Sequence, residues 1–279
     1  MELGPGVKSK DLFPSIFSRH AADYQQRLDE IMARGEARGR WRAIELAEVK
    51  PGMHVLDLAC GPGTLSKVLA QLVAPGGEVT GVDLAPGMIE LARAARIPNA
   101  RFEVMDIEDL RFRDASFDAA VCGHGLQFAP DLARALGEAR RVLRQGARLA
   151  ASVPVNAGTQ RPWQVMDGVV DRWLPPAPKA TDQDATRSAV NDRDALRAAT
   201  LRAGFATAQV EVIEEKVRWE SADQFVARCM SWWDLAARME AATERRRDAF
   251  REDALATLRK EFPGPIETTG ITHVLLAIA

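Results

Sequence analysis

The sequence predicts an α/β fold, a doubly wound and mostly parallel sheet with helices on both faces. Short apolar runs of strand length alternate with helical stretches over residues 54–153, the order that forces parallel pairing through crossover helices. The first run ends at Asp57, and Gly61, Gly63 and an amphipathic pattern opening at Thr64 follow at once. The second run ends on another acid, Asp83. A strand, a glycine turn and a helix N-terminus, with an acid closing the next strand, describe a crevice at the carboxyl ends of a sheet.

The elements follow in order. Residues 1–16 read as a loose start, because Gly4, Pro5, Gly6 and Pro14 break any helix. Residues 17–48 are helical in pattern, and Arg34, Arg38, Arg40 and Arg42 read as a solvated face. Pro51-Gly52 ends that segment and His54 begins the first strand. Leu65, Val68, Leu69, Leu72 and Val73 mark one side of the next helix. The loop at 74–77 leads to the second strand, and a helix over 86–95 carries proline in its first turn, where a missing N–H costs least. Residues 101–104 and 117–122 are the third and fourth strands. A stripe of Leu132, Ala135, Leu136, Ala139 and Val142 is stopped by Gly146, and 148–153 is the fifth strand.

At 154–191 the rhythm breaks, with Pro162, Pro175, Pro176 and Pro178 beside Trp163 and Trp173. A connection of that length implies a task, here a lid over the crevice. A helix over 192–202 capped by Gly204, a strand over 207–213, helices over 221–260 and a last strand over 272–278 complete the chain. The organisation expected is an N-terminal helical lid segment (1–48), a cofactor-binding core (49–153), a lid insertion (154–191) and a C-terminal part of the sheet with substrate-side helices (192–279).

The bulk properties narrow the classes. The 279 residues are 47% hydrophobic and 27% charged, an ordinary globular balance able to bury a full core. A net charge of −2 gives no electrostatic footprint for nucleic acid or an anionic membrane. Cys60, Cys122 and Cys229 lack metal-ligand spacing and cannot all pair, which suits a reducing cytoplasm. No run is long and apolar enough for a membrane span, and Met1-Glu-Leu-Gly-Pro-Gly6 has no signal core.

Asp83 can accept from both hydroxyls of a ribose, since a carboxylate has two acceptor oxygens. Asp57 decides which nucleoside fits. A dinucleotide puts its pyrophosphate over the helix N-terminus, and a carboxylate just before the glycines would oppose that anion. The same carboxylate suits an α-ammonium and a sulfonium. Ser66 also stands where a dinucleotide fingerprint has its third glycine. S-adenosylmethionine therefore fits better than NAD.

Val55-Leu-Asp-Leu-Ala-Cys-Gly-Pro-Gly63 resembles the first motif of the class I S-adenosylmethionine-dependent methyltransferases, and Gly81-Val-Asp-Leu-Ala-Pro-Gly-Met88 the second. Met105-Asp-Ile-Glu-Asp-Leu110 is similar to the adenine-contacting segment. Phe117-Asp-Ala-Ala-Val-Cys122 and Glu138-Ala-Arg-Arg-Val-Leu-Arg-Gln-Gly146 are similar to the fourth strand and the helix-turn before the fifth. The resemblance runs in register over about 17–153, and its nearest branch holds the ubiquinone/menaquinone C-methyltransferases and many natural-product methyltransferases. It implies a seven-stranded Rossmann-like methyltransferase fold with a helical lid, and S-adenosylmethionine as cofactor with S-adenosylhomocysteine as its product. Asp57 and the backbone around Ala59, Gly61 and Gly63 would hold the methionine end, and Asp83 the ribose. Leu84 and Met88 would flank the adenine, Asp106 would accept from its amine and Ile107 would offer a main-chain N–H, with Glu108 and Asp109 competing for the role of Asp106. Tyr24 falls where relatives place an aromatic ring against the cofactor, unless it packs a helix interface.

Methyl transfer from a sulfonium is an in-line displacement on an activated carbon, so orientation, about 7–11 kcal/mol in favourable cases, is the main task. No metal or covalent nucleophile is needed. Gly123-His-Gly-Leu-Gln-Phe128 follows the fourth strand and should floor the site near the methyl group. His124 is a candidate base, or a hydrogen-bonding group to backbone or cofactor; His20 is a second candidate on the N-terminal segment. Phe128, Trp163, Trp232 and Trp233 line an apolar acceptor pocket or pack the lid onto the sheet. The function expected is methyl transfer to O, N or C of a small, fairly apolar metabolite, natural-product or quinone-like. The partners expected are that small molecule, no nucleic acid and no membrane, with the chain a monomer or homodimer. An RNA or protein methyltransferase would need a basic surface or an added domain, and a non-methylating binder or cyclase would keep the same cofactor motifs.

Overall fold

The computed structural model describes residues 7–155 and 160–279; Gly4, Pro5 and Gly6 lie outside the described residues. Three helices precede the sheet: α1 (Ser9–Arg19), α2 (Ala21–Ala33) and α3 (Arg38–Leu46). The expected loose start is thus a helix with Pro14 inside it. An interior proline costs about 3 kcal/mol or more. Leu12, Phe13 and Ile16 are buried on one side of that helix, and each contributes roughly 1.5–3 kcal/mol. Burial wins.

The parallel core alternates as expected: β1 (His54–Leu58), α4 (Thr64–Val73), β2 (Glu78–Asp83), α5 (Pro86–Ala94), β3 (Ala100–Val104) and β4 (Phe117–Gly123). Leu72, read as core, is 39% exposed, and Ser66 lies on the buried side of α4 in its stead. Next come α6 (Leu132–Val142) and β5 (Leu143–Val155). Gly146 does not stop the helix; it sits at φ 78° inside a strand that starts earlier, because Leu143 already pairs with Phe117.

Where no regular structure was expected there are two helices, α7 (Arg161–Trp173) and α8 (Asp184–Asn191). Pro162 opens α7 rather than breaking anything, since the first turn has no partner for its missing N–H. Then follow α9 (Arg193–Arg202), β6 (Thr207–Trp219), α10 (Ala222–Cys229), α11 (Trp233–Ala241), α12 (Glu244–Glu261) and β7 (Ile266–Ile278). Asp192 and Ser221 cap α9 and α10 by accepting from Ala195 N–H and Gln224 N–H.

The seven strands form one sheet in the order β3-β2-β1-β4-β5-β7-β6, with β7 antiparallel to both neighbours. β6 and β7 are longer than their apolar cores suggested. Past Ile271, which pairs with Val155 at the end of β5, the two strands continue, among the described residues, as a two-stranded ribbon to the pair Trp219–Ile266. Apolar clusters fill both faces of the sheet, one around Leu136, Leu149 and Leu196 and one around Val55, Leu69 and Val121. A third joins α7, α10, α11 and α12 to the end of the ribbon through Phe225, Phe250 and Trp219. His273 is structural: its Nδ1 lies 3.0 Å from the Val190 carbonyl inside the core.

Candidate active site

The site is built at the carboxyl ends of β1, β2 and β4, where the strand order reverses. Asp57 is 1% exposed. Its Oδ2 accepts from the Ser66 hydroxyl at 2.6 Å, and its Oδ1 has no partner. Burial pushes its carboxyl up to about 7, against the pull of the Ser66 hydroxyl. The third-glycine position thus carries a serine that grips the acid below it.

Asp83, at the end of β2, accepts from Gly61 N–H at 2.9 Å and from Ala85 N–H at 2.8 Å. Burial raises its carboxyl, opposed by those backbone donors. One carboxylate therefore ties the glycine loop to the start of α5. Gly61 and Gly63 sit at φ 56° and 85°, a region where a Cβ crowds the backbone. Ala59 and His124 adopt the same left-handed region at φ 53° and 64°. They follow adjacent strands, and such conformations concentrate where the surroundings impose them.

A pocket of about 750 Å³ lies above these loops. Tyr24, Ala59, Gly61, Asp83, Leu84, Met88, Asp106, Ile107, Gly123, His124 and Phe128 all line it. Asp57 lies beneath, in a side chamber that shares Tyr24, Ala59, Gly61 and Gly123 with the pocket. Asp106 is not free: its Oδ2 pairs with Lys10 at 2.7 Å and its Oδ1 accepts from Glu108 N–H at 2.9 Å. Glu108, a rival for its role, is 3% exposed and accepts from Lys10 and Asp131 N–H. Phe13, Pro14 and Phe17 of α1 complete the pocket wall.

The chemistry of this pocket matches S-adenosylmethionine. Its base holds a buried carboxylate oxygen without a partner, suited to a cationic methionine end. The glycine turn leaves room over it. Asp83 faces the middle, and Leu84, Met88, Met105 and Ile107 offer an apolar slot for a flat ring.

A second, larger cleft of about 1670 Å³, partly open to solvent, adjoins the first. Phe17, Tyr24, His124 and Phe128 belong to both. Trp163, Trp232 and Trp233 line the second cleft, and Trp163 packs on Trp232 with ring centroids 4.8 Å apart. Trp173 is elsewhere, donating from Nε1 to Asp253 Oδ2 at 2.7 Å. The Nε2 of His124 is buried and without a partner. Burial first, then the charges of Arg40 and Arg27, hold its imidazole well below the usual histidine range. The ring is therefore neutral.

His20 is not brought to either chamber. It sits at the α1–α2 junction with Nε2 2.9 Å from Glu240 Oε1, on a surface groove that shares Arg27 with the larger cleft. Several site residues escaped sequence reasoning. Lys10 and Phe17 come from the helix that Pro14 was expected to break, although Leu12, Phe13, Ile16 and Phe17 already had helical spacing. Arg27 was not singled out, and Arg40, expected on a solvated face, is 7% exposed and lines the larger cleft.

Comparison with known proteins bears on the family and the fold. The methyltransferase-domain family matches residues 56–151. The 2-phytyl-1,4-naphtoquinone methyltransferase of Synechococcus elongatus is 33% identical over 184 residues, covering 62% of this chain and 77% of that protein. A 37.1 kDa protein in transposon TN4556 of Streptomyces fradiae is 38% identical over 142 residues, 50% of this chain, and the chain spans only 41% of its length. Among solved structures, a chain in the complex of the Haloferax volcanii Trm112 methyltransferase activator with a methyltransferase superposes with a TM-score of 0.56 at 20% identity, covering 94% of this chain and 97% of that one. That likeness is one of fold. With the motif loops, the paired acids and a relative matched over most of its length, the chain belongs to the S-adenosylmethionine-dependent methyltransferases.

Proposed function

We propose that the protein methylates a small, largely apolar acceptor, quinone-like or natural-product-like, held in the larger cleft. The observation that carries this reading is the common wall of Phe17, Tyr24, His124 and Phe128, which sets the donor pocket and the aromatic cleft side by side. Transfer needs an acceptor atom in line behind a methyl group, and two chambers meeting at one wall supply such a path. The relative from Synechococcus elongatus, named for a naphthoquinone, supports the acceptor class.

S-adenosylmethionine, when bound, supplies a methyl group on a cationic sulfur. Asp57 and the backbone of Ala59, Gly61 and Gly63 hold its methionine end, Asp83 its ribose, and Leu84, Met88, Asp106 and Ile107 its adenine. Phe17, Tyr24 and Phe128 exclude water. His124 Nε2 takes the proton from an O–H or N–H acceptor, or orients a C-nucleophile by its enol hydroxyl. The segment 1–48 and the insertion 154–191 serve as lids. The protein acts in the cytoplasm as a monomer or homodimer.

Incubation with S-adenosylmethionine and the reduced form of a phytylated 1,4-naphthoquinone tests the reading by mass spectrometry. A product heavier by one methylene supports it. No transfer to this or to other hydroquinones and phenols, with cofactor binding intact, removes it, and an isomerised product of unchanged mass points to a cyclase.

A further inference from the structure

The larger cleft is aromatic, yet it holds two guanidinium groups to which no described residue is a counter-ion. Arg27 and Arg40 both line it, and the Nε of each is buried with no hydrogen-bond partner. Other arginines of the chain close ion pairs: Arg42 with Glu211, Arg141 with Glu138, Arg228 with Glu30. Among the described residues, nothing does this for Arg27 or Arg40. Beside Arg27 stand the rings of Tyr24 and Trp232, 5.2 and 5.8 Å from its guanidinium carbon.

The acids of the same cleft are engaged elsewhere. Glu215 Oε1 accepts from Gly39 N–H at 2.7 Å, and Asp234 Oδ1 accepts from Leu235 N–H at 2.8 Å. Neither pairs with Arg27 or Arg40. Taking a cation out of water without a partner is costly, and here two lie close enough to repel each other. Burial and the Arg40 charge bring Arg27 down to about 10, against the pull of Tyr24, so it remains cationic at neutral pH. Three more buried polar atoms without partners belong to this cleft: His124 Nε2, Gln127 Oε1 and Thr272 Oγ1. Such a set is satisfied by a ligand.

We infer that the Arg27–Arg40 pair recognises an anionic oxygen on the acceptor, so that preferred acceptors are aromatic molecules bearing a carboxylate or an ionised phenol rather than neutral apolar ones. The inference rests on the reading that this cleft receives the acceptor. Guanidinium groups suit it, because their planar donors match an oxyanion and stack on rings. The indoles of Trp163 and Trp232 then receive the ring system, and the positive pair fixes which end enters.

Calorimetry on the full chain at neutral pH, with and without S-adenosylhomocysteine, tests this using 1-naphthoate, 4-nitro-1-naphtholate and neutral 1-naphthol. At least one anion should bind about tenfold or more tighter than 1-naphthol, the scale of one charge-assisted hydrogen bond. A preference for naphthoate assigns a carboxylate, and one for the nitronaphtholate assigns a phenolate. Arg40→Met and the half-buried Arg27→Gln should each remove most of the preference. The comparison of probes on the unmodified protein stands even if a variant misfolds. Equal or tighter binding of 1-naphthol, or no anion binding, overturns the inference. Failure of S-adenosylhomocysteine to bind would instead strike the methyl-transfer reading, and the anion titrations without it still decide this one.

Discussion

The Ser66 hydroxyl holds Asp57 by one oxygen, at 2.6 Å in a wholly buried contact, and leaves the other without a partner. A carboxylate kept half-satisfied at the foot of a ligand pocket is poised for a cation. Ser66→Ala should therefore weaken S-adenosylhomocysteine binding about threefold to tenfold, the worth of one buried hydrogen bond. Asp57→Asn should weaken it more. Titration calorimetry measures both, and unchanged affinity in Ser66→Ala would reduce the contact to packing.

Binding should also release a proton. Burial brings the Asp57 carboxyl to about 7 in the free protein, so near neutrality a good part of the population is protonated. A cation beside it favours the charged form and drives the proton off. Affinity for S-adenosylmethionine should then rise with pH from 6 to 8, roughly across that about-7 midpoint. Binding enthalpies in buffers of different ionisation heat count the protons, and Asp57→Asn should abolish the dependence. Buffer-independent enthalpy in the unmodified protein would contradict it.

Asp83→Ala should cost about tenfold or more in cofactor affinity. Asp83→Asn should not rescue it fully. Both oxygens of Asp83 already accept from main-chain N–H groups, on Gly61 and Ala85, and an amide offers only one acceptor oxygen. Exchange of the Gly61 and Ala85 amides, followed by NMR, should quicken in both variants.

His124 makes a stability prediction with a definite sign. Its folded-state pKa lies well below the ordinary 6.5 because the ring is buried near two arginines. The unfolded chain then binds the extra proton, so this residue contributes a loss of stability as pH falls below about 6.5. His124→Gln should gain melting temperature relative to the unmodified protein on going from neutral pH to about pH 5. Turnover should fall in the same variant while S-adenosylhomocysteine still binds. A difference in melting temperature that does not move with pH would place the ring in water.

The alternation from β1 to β4 was legible because β1, β2 and β4 are buried on both faces and each helix shows one apolar stripe; Leu56, Leu58, Val79 and Val82 could not be mistaken for surface. The cofactor side followed, since Asp57, Gly61, Gly63 and Asp83 are local to strand ends. Proline misled at Pro14 and Pro162, where tertiary burial and first-turn placement overrode local preference. The extensions of β6 and β7 were hidden because residues such as Glu214, Lys216 and Arg218 carry charge on the exposed side of the ribbon. Arg40 defeated pattern reading altogether. One cation in an arginine-rich helix gives no sign of being buried, as the cleft it lines is built in part from β5, β6 and β7, far off in sequence.

The ribbon has one more implication. Glu215, Val217 and Trp219 turn inward to the cleft, and Glu214, Lys216 and Arg218 turn outward to solvent. Loss of a single residue there would reverse the alternation and present charges where the indole and the valine now stand. Because this stretch lies beyond the last described pair between β5 and β7, Val155–Ile271, such a slip would leave Asp57 and Asp83 in place. Under the proposed reading of the cleft, choice of acceptor would then drift by changes in one arm of the ribbon, with the donor machinery inherited unaltered.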